Sequence, residues 1–139
     1  VPELLVDVRG EGVDELIKKI DNAAKTYPYR NTYSVWPGPN SNTFIAWIGR
    51  IVPELRLDLP PTAIGKDWLG KTKFFSSTPS GTGYQFSILG LFGILLGVEE
   101  GLEINILGLN FGIDVLGMSL RLPGIGGLGF PRTIGPRAL

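Results

Sequence analysis

The near copies "ILGLFGILLG" (88–97) and "ILGLNFGIDVLG" (106–117) decide how the second half of this chain folds. Each puts glycine every few residues among Ile, Leu and Phe, a spacing that weakens a helix at every turn. A repeated β unit, turned by Glu99-Glu100-Gly101, accounts for both. The enclosing run "FSILGLFGILLGV" (86–98) is 13 residues long, short of the ~20 that span a bilayer as a helix. "MSLRLPG" (118–124) alternates and adds a strand, and the tail from 125 is Gly/Pro-rich and expected to be extended.

Working outward, the two halves of the 139 residues differ. Residues 1–73 hold ten of the 13 Lys and Arg and six of the 20 glycines, and read as mixed α/β. Residues 74–139 hold the other 14 glycines and read as glycine-rich β structure. One domain, 1–139, or the C-terminal part of one, is expected. "LLVDV" (4–8) is β-like. "VDELIKKIDNAAKTY" (13–27) carries an apolar stripe at 13, 16, 17, 20, 24 and 27, the period of a one-faced helix. "TYSVW" (32–36) reads as a short extended segment before the Pro37-Gly38-Pro39 loop. From Asn42, the positions Phe44, Trp47, Ile48 and Ile51 define a second, more apolar helix ending near Pro53. Residues 55–70 read as a loop with a short turn at 66–69. The fold class is α+β: two helices on an antiparallel sheet, with a glycine-rich meander in the C-terminal half.

Composition narrows function. Thirteen basic residues balance 13 acidic ones, which gives no electrostatic reason to expect nucleic acid. Zero Cys and zero His remove disulfides, thiol catalysis, the usual general base and the commonest metal ligands. No cofactor is implied. The opening Val1-Pro2, rather than Met, reads as a processed product or a fragment. Gly124-x-Gly126-x-x-Gly129 has dinucleotide-fingerprint spacing, but Pro131 and Pro136 follow where the fingerprint needs a helix. Glu99, Glu100 and Glu103 could be a cation site or an acid pair; a solvated turn is the better reading. Lys66 and Asp67 could be a catalytic pair, and an exposed ion pair is expected instead.

Asn40-Ser41-Asn42-Thr43-Phe44 is the candidate site. A nucleophile at a helix start feels the positive end of the dipole and has backbone N–H groups nearby for an oxyanion. Ser41 would be that nucleophile, flanked by Asn40 and Asn42. A serine needs a base, and no His is present. Helix cap and core therefore come ahead of active nucleophile, with the Ser41 side chain expected to bond the first-turn N–H groups.

"VWPGPNSNTFIAWIGRIVPEL" (35–55), "LDLPPTAIGKDWLG" (57–70), "SGTGYQFSILGLFGILLGVEEGLEINILGLNFGID" (80–114) and "LRLPGIG" (120–126) together resemble an uncharacterised bacterial family, the DUF thirty-seven-fifty family. Its members look like membrane-anchored proteins, with an N-terminal hydrophobic segment and a His-Thr-Trp-like strand. This chain has neither, so it resembles their C-terminal part. More distantly, Asn40-Ser41-Asn42 is similar to the nucleophile site of permuted papain-like hydrolases of the NlpC/P60 type, with Ser41 at the Cys position. The resemblance implies a partial papain-like fold, a bacterial envelope location and an anchor outside this sequence. It implies a binding or accessory scaffold without thiol chemistry, or a subunit of a larger assembly. The alternative is a serine-dependent hydrolase or acyltransferase using Ser41 and a His from elsewhere. The expected partner is another polypeptide segment or subunit, against the 42–52 helix or an adjacent strand edge, with membrane association alongside.

Overall fold

The computed structural model describes residues 4–129 and 135–139. Two helices and a seven-stranded antiparallel sheet form an α+β fold. Val1-Pro2, Pro131 and part of the Gly/Pro-rich tail lie outside the described residues.

Helix α1 (Val13–Lys25) starts from Gly12, which sits in the left-handed region at φ 91. Asp14 and Glu15 occupy its first turn and Lys25 its last, each placed to complement the helix dipole. The helix buries Leu16 and Ala23 against Ile48 and Val52 of the segment around α2 (Ser41–Ile51), with Ile20, Phe44 and Trp47 packed around them, whereas Ile17 of the expected stripe is exposed. The Trp47 indole N–H donates to the Ala23 carbonyl at 3.1 Å, tying the two helices together. On the other side of α2, Ala46 joins Leu57, Leu59 and Ala63 of the following loop. Gly49 lets Pro79 approach the helix closely, since a Cβ there would lie 2.4 Å from the Pro79 carbonyl oxygen. A short 3-10 turn, Pro53–Leu55, ends the helical part.

Two expected segments differ. Of 4–8, only Val8 enters a strand: β1 (Val8–Arg9) pairs in parallel with β9 (Arg137–Ala138). Residues 32–36 form no strand. Their polar groups are used elsewhere, with Ser34 N–H donating to Pro39 O at 2.8 Å within the loop and the Trp36 indole donating across to Leu107 O at 3.2 Å in the second half of the chain.

The sheet is a meander in chain order: β2 (Phe75–Ser77), β3 (Gly83–Ile88), β4 (Phe92–Gly97), β5 (Gly101–Ile106), β6 (Leu109–Asp114), β7 (Ser119–Leu122) and β8 (Gly126–Gly129). Both ILGL copies occupy the same structural place, the turn at the end of a hairpin's first strand. Leu89 and Gly90, then Leu107 and Gly108, all have positive φ, the backbone of type I′ turns. In each copy the side chain two residues before the leucine accepts from the glycine N–H: Ser87 at 3.2 Å and Asn105 at 3.0 Å. Asp114-Val115-Leu116-Gly117 repeats the device, Asp114 accepting from Gly117 N–H at 2.8 Å.

Strand register sorts the side chains into transverse rows. One face carries Phe75–Phe86–Ile94–Ile104–Phe111, Tyr84–Leu96–Leu102–Ile113–Leu120–Leu128 and Ile88–Phe92–Ile106–Leu109. The opposite face carries Gln85–Leu95–Glu103–Gly112–Arg121 and Ser87–Gly93–Asn105–Asn110. The polar face is the buried one. Gln85, Ser87, Glu103, Asn105, Asn110 and Arg121 are buried, whereas fourteen apolar-row residues are 41–83% exposed. The sheet is inverted relative to the usual hydrophobic-in, polar-out alternation of a half-covered antiparallel sheet. On α2, only Ile45 and Ile51 are comparably exposed, so most of the unburied apolar surface belongs to the sheet.

Candidate functional site

The start of α2 is built by its asparagines. Asn40 is the N-cap, with extended backbone, and its Oδ1 accepts from Thr43 N–H at 3.0 Å. The Thr43 hydroxyl oxygen accepts from Asn40 N–H at 3.2 Å, closing a capping box, and donates to Gly65 O at 2.9 Å. Asn40 Nδ2 donates to Val35 O and Ile64 O, and Asn42 Nδ2 donates to Ile64 O at 2.9 Å. Both asparagines thus bind the helix start to the loops on either side of it. Gly65, at φ +97, leaves room for them, since a Cβ there would lie 2.4 Å from Asn40 Nδ2.

Ser41 is the first residue of α2, as expected, and is exposed. Its side chain does not bond the first-turn N–H groups. That role belongs to Asn40, whose longer side chain reaches Thr43 from outside the helix. The Ser41 corner opens on a cleft of about 550 Å3 lined also by Tyr27, Tyr29, Arg30, Tyr33 and Asn40. Tyr27 packs edge-on to Phe44 and Tyr29, and its hydroxyl is buried without a hydrogen-bond partner. Burial, then the neighbouring Tyr29, pushes the Tyr27 phenol above its ordinary range. The ionisable side chains along the cleft are tyrosines and Arg30. The lining includes no His, Asp, Glu or Lys, so within the cleft Ser41 has a helix dipole but none of the customary general bases.

A second constellation lies where the 55–70 loop meets the polar face. Lys66 and Asp67, expected exposed, are 1% and 3% exposed. Glu99, Glu100 and Glu103, expected in a solvated turn, are buried too. The loop drops its charges onto the polar rows, and the turn residue Gly90 lets it approach closely, since a Cβ there would lie 2.9 Å from Trp68 Cβ. The Lys66 ammonium bonds Glu103 Oε2 and donates to Leu59 O at 3.2 Å. Asp67 accepts from Gln85 Nε2 at 2.9 Å and Asn105 Nδ2 at 2.8 Å. Arg121 Nη1 donates to Asp58 at 2.7 Å and to Glu103 Oε1 at 3.0 Å, and its Nη2 reaches Asp114. Arg50, from α2, donates to Gln85 Oε1 at 2.7 Å and to Ser77 O. Glu100 accepts from Ser80 N–H and Oγ, and Glu99 pairs with Arg56 at 2.5 Å.

Burial is the largest single influence on Arg50, Lys66 and Glu103. It pulls Arg50 down to about 10, with Asp67 and Glu100 opposing. It opposes the charge on Lys66 also, but Glu103, Asp67 and Asp58 outweigh it and the ammonium's pKa rises. It lifts Glu103, against the pull of Lys66 and Arg121. Each carboxylate of this group is answered by a cation or an amide, which suits a structural clamp. No group of three or more His, Cys, Asp or Glu among the described residues could hold a metal ion. The sequence offered a signal for this clamp, charges set inside the otherwise apolar LPPTAIGKDWL, which an exposed-pair reading passed over.

Among known families, that described as "Protein of unknown function (DUF3750)" matches residues 1–68 and supports the family assignment over that stretch. The match covers both helices and ends within the clamp-bearing loop. Neither the curated proteins nor the solved structures gave a match.

Proposed function

We propose that this chain is a binding or accessory domain of a bacterial envelope assembly, on a papain-like scaffold without thiol chemistry, which docks through the apolar face of its sheet. The observation that carries the reading is the set of three uncharged rows, exposed across seven strands. Fourteen half-exposed apolar residues present on the order of 1,000 Å2, against the ~300–600 Å2 of an ordinary monomer's largest patch. A sheet must cover such a face with another layer. The flanking turns support the reading. Leu89, Leu107 and Met118 hold positive φ, where Asn or Gly is at ease and Leu or Met is strained, yet all three are exposed and apolar. A local rule broken at three surface turns points to a use for the side chains.

The test is direct. The purified chain should enhance bis-ANS fluorescence or bind detergent micelles, and fractionation of the source cells should recover it with the envelope. Ile94→Lys with Ile104→Lys should abolish the binding and leave far-UV circular dichroism unchanged. A wild-type chain that is monomeric and binds neither probe ends the reading.

The alternative is a serine-dependent hydrolase or acyltransferase, with Ser41 as nucleophile and a His from outside this sequence. What favours it is the exposed Ser41 at a helix N-terminus beside a cleft. Labelling by a fluorophosphonate at Ser41, in the presence of the His-bearing segment, is the result it requires.

A further inference from the structure

We infer that the occupant of the apolar face is a second copy of this chain, packed sheet on sheet as an isologous dimer. The inference rests on the docking reading above and adds the partner. Area is the first argument. The rows expose on the order of 1,000 Å2 per copy, above the ~800 Å2 per partner of a standard stable interface. Charge is the second. Every residue of the three rows is uncharged, so a face laid on its own copy meets no like charge and strands no unpaired one.

Shape is the third. The central strand of the seven is β5, and Ile104 lies at its middle on the apolar side. A two-fold axis running along β5 lays each copy's β3–β4 side over the other's β6–β7 side. Row by row, Tyr84 then opposes Leu120, Phe92 opposes Leu109 and Phe111 opposes Ile94, bulky against smaller, as interdigitating sheets require. Edges decide between a copy and a lipid surface. Among the described residues the sheet is open at β2 and β8. Lowered into hydrocarbon, those edges would carry unpaired backbone groups with them, whereas in a sandwich they stay at the wet rim.

Sedimentation velocity over a concentration series tests this, with vesicle flotation beside it. The wild-type chain should approach twice the monomer mass as concentration rises. Ile104→Lys should raise the dimer Kd about a hundredfold or more, as expected at an interface centre, with the fold retained because Ile104 is exposed in the single copy. Lys18→Glu, on the exposed side of α1, should leave the dimer intact. The chain has no Cys, so Ile104→Cys supplies one thiol, which a short bis-maleimide should link between copies. A monomer throughout, a polydisperse aggregate, or a dimer unaffected by Ile104→Lys overturns the inference. A monomer that floats with neutral phosphatidylcholine vesicles overturns it while sparing the docking reading. A monomer that binds neither vesicles nor bis-ANS ends both.

Discussion

Lys66 and Glu103, 37 residues apart, meet as a fully buried ion pair that fastens the 55–70 loop to the centre of the sheet. Removing one partner leaves the other charge uncompensated in the interior. Lys66→Met should therefore cost ~3–5 kcal/mol in urea unfolding. The double variant Lys66→Met with Glu103→Gln should recover part of that loss, because Arg121 keeps Asp58 and Asp114. Equal losses for the single and double variants would show that the pair is not a coupled unit.

The same pair fixes an alkaline limit. The fold raises the Lys66 pKa above its ordinary value of 10.5. A base with a raised folded pKa contributes stability that is complete below the unfolded value and lost as pH rises through the folded one. Arg50, lowered to about 10, acts with the opposite sign over part of that range. It cancels when wild type is compared with Lys66→Met. The stability gap between the two proteins should be constant between pH 7 and 9 and narrow above about pH 10.5. A gap that does not change with alkaline pH would contradict the assignment.

At the start of α2, Asn40 and Ser41 should separate cleanly. Asn40→Ala removes the capping box and the ties to Val35 and Ile64, and should cost ~1–2 kcal/mol. Ser41→Ala removes an exposed hydroxyl outside that network and should stay within about 0.5 kcal/mol. Thermal unfolding of the two variants is sufficient. A larger loss for Ser41→Ala would restore it as the cap.

These contrasts mark what the sequence could say. Asn-x-Asn before an apolar stripe announces a helix start, because a short polar side chain there satisfies orphan donors. Which of three adjacent residues caps depends on the backbone at Asn40, and that is set by the loop contacts at Ile64 and Gly65. In the sheet, glycine spacing and the paired ILGL copies gave away strands and turns. Period-two alternation identifies two faces without saying which is covered. Ordinary burial would place Ile94, Ile104 and Phe111 inside. The reverse holds because Lys66, Asp67 and Asp58 come down on the other face, where Glu103, Asn105 and Arg121 answer them. Those are contacts between halves of the chain, which spacing along a strand does not encode.

The Leu107-Gly108 turn offers a test in which stability and association move in opposite directions. Leu107 holds φ 55 and Gly108 φ 84 between Ile106 and Leu109, the backbone that Asn-Gly adopts with least strain. Leucine pays for that conformation with roughly 1–2 kcal/mol, the cost of left-handed backbone for a residue with a full Cβ. It gains only partial burial in return, being 53% exposed beside the apolar rows. Leu107→Asn should therefore stabilise the isolated fold by ~0.5–1.5 kcal/mol, since Asn tolerates that region. The bond from Gly108 N–H to Asn105 Oδ1 is unaffected by the exchange. If the leucine is kept to extend the docking face, the same variant should weaken dimerisation or micelle binding several-fold. Unfolding midpoints, measured below the dimer's dissociation range, report the first effect, and sedimentation reports the second. A variant that is both more stable and equally associated would mean that the strained leucines serve no interface.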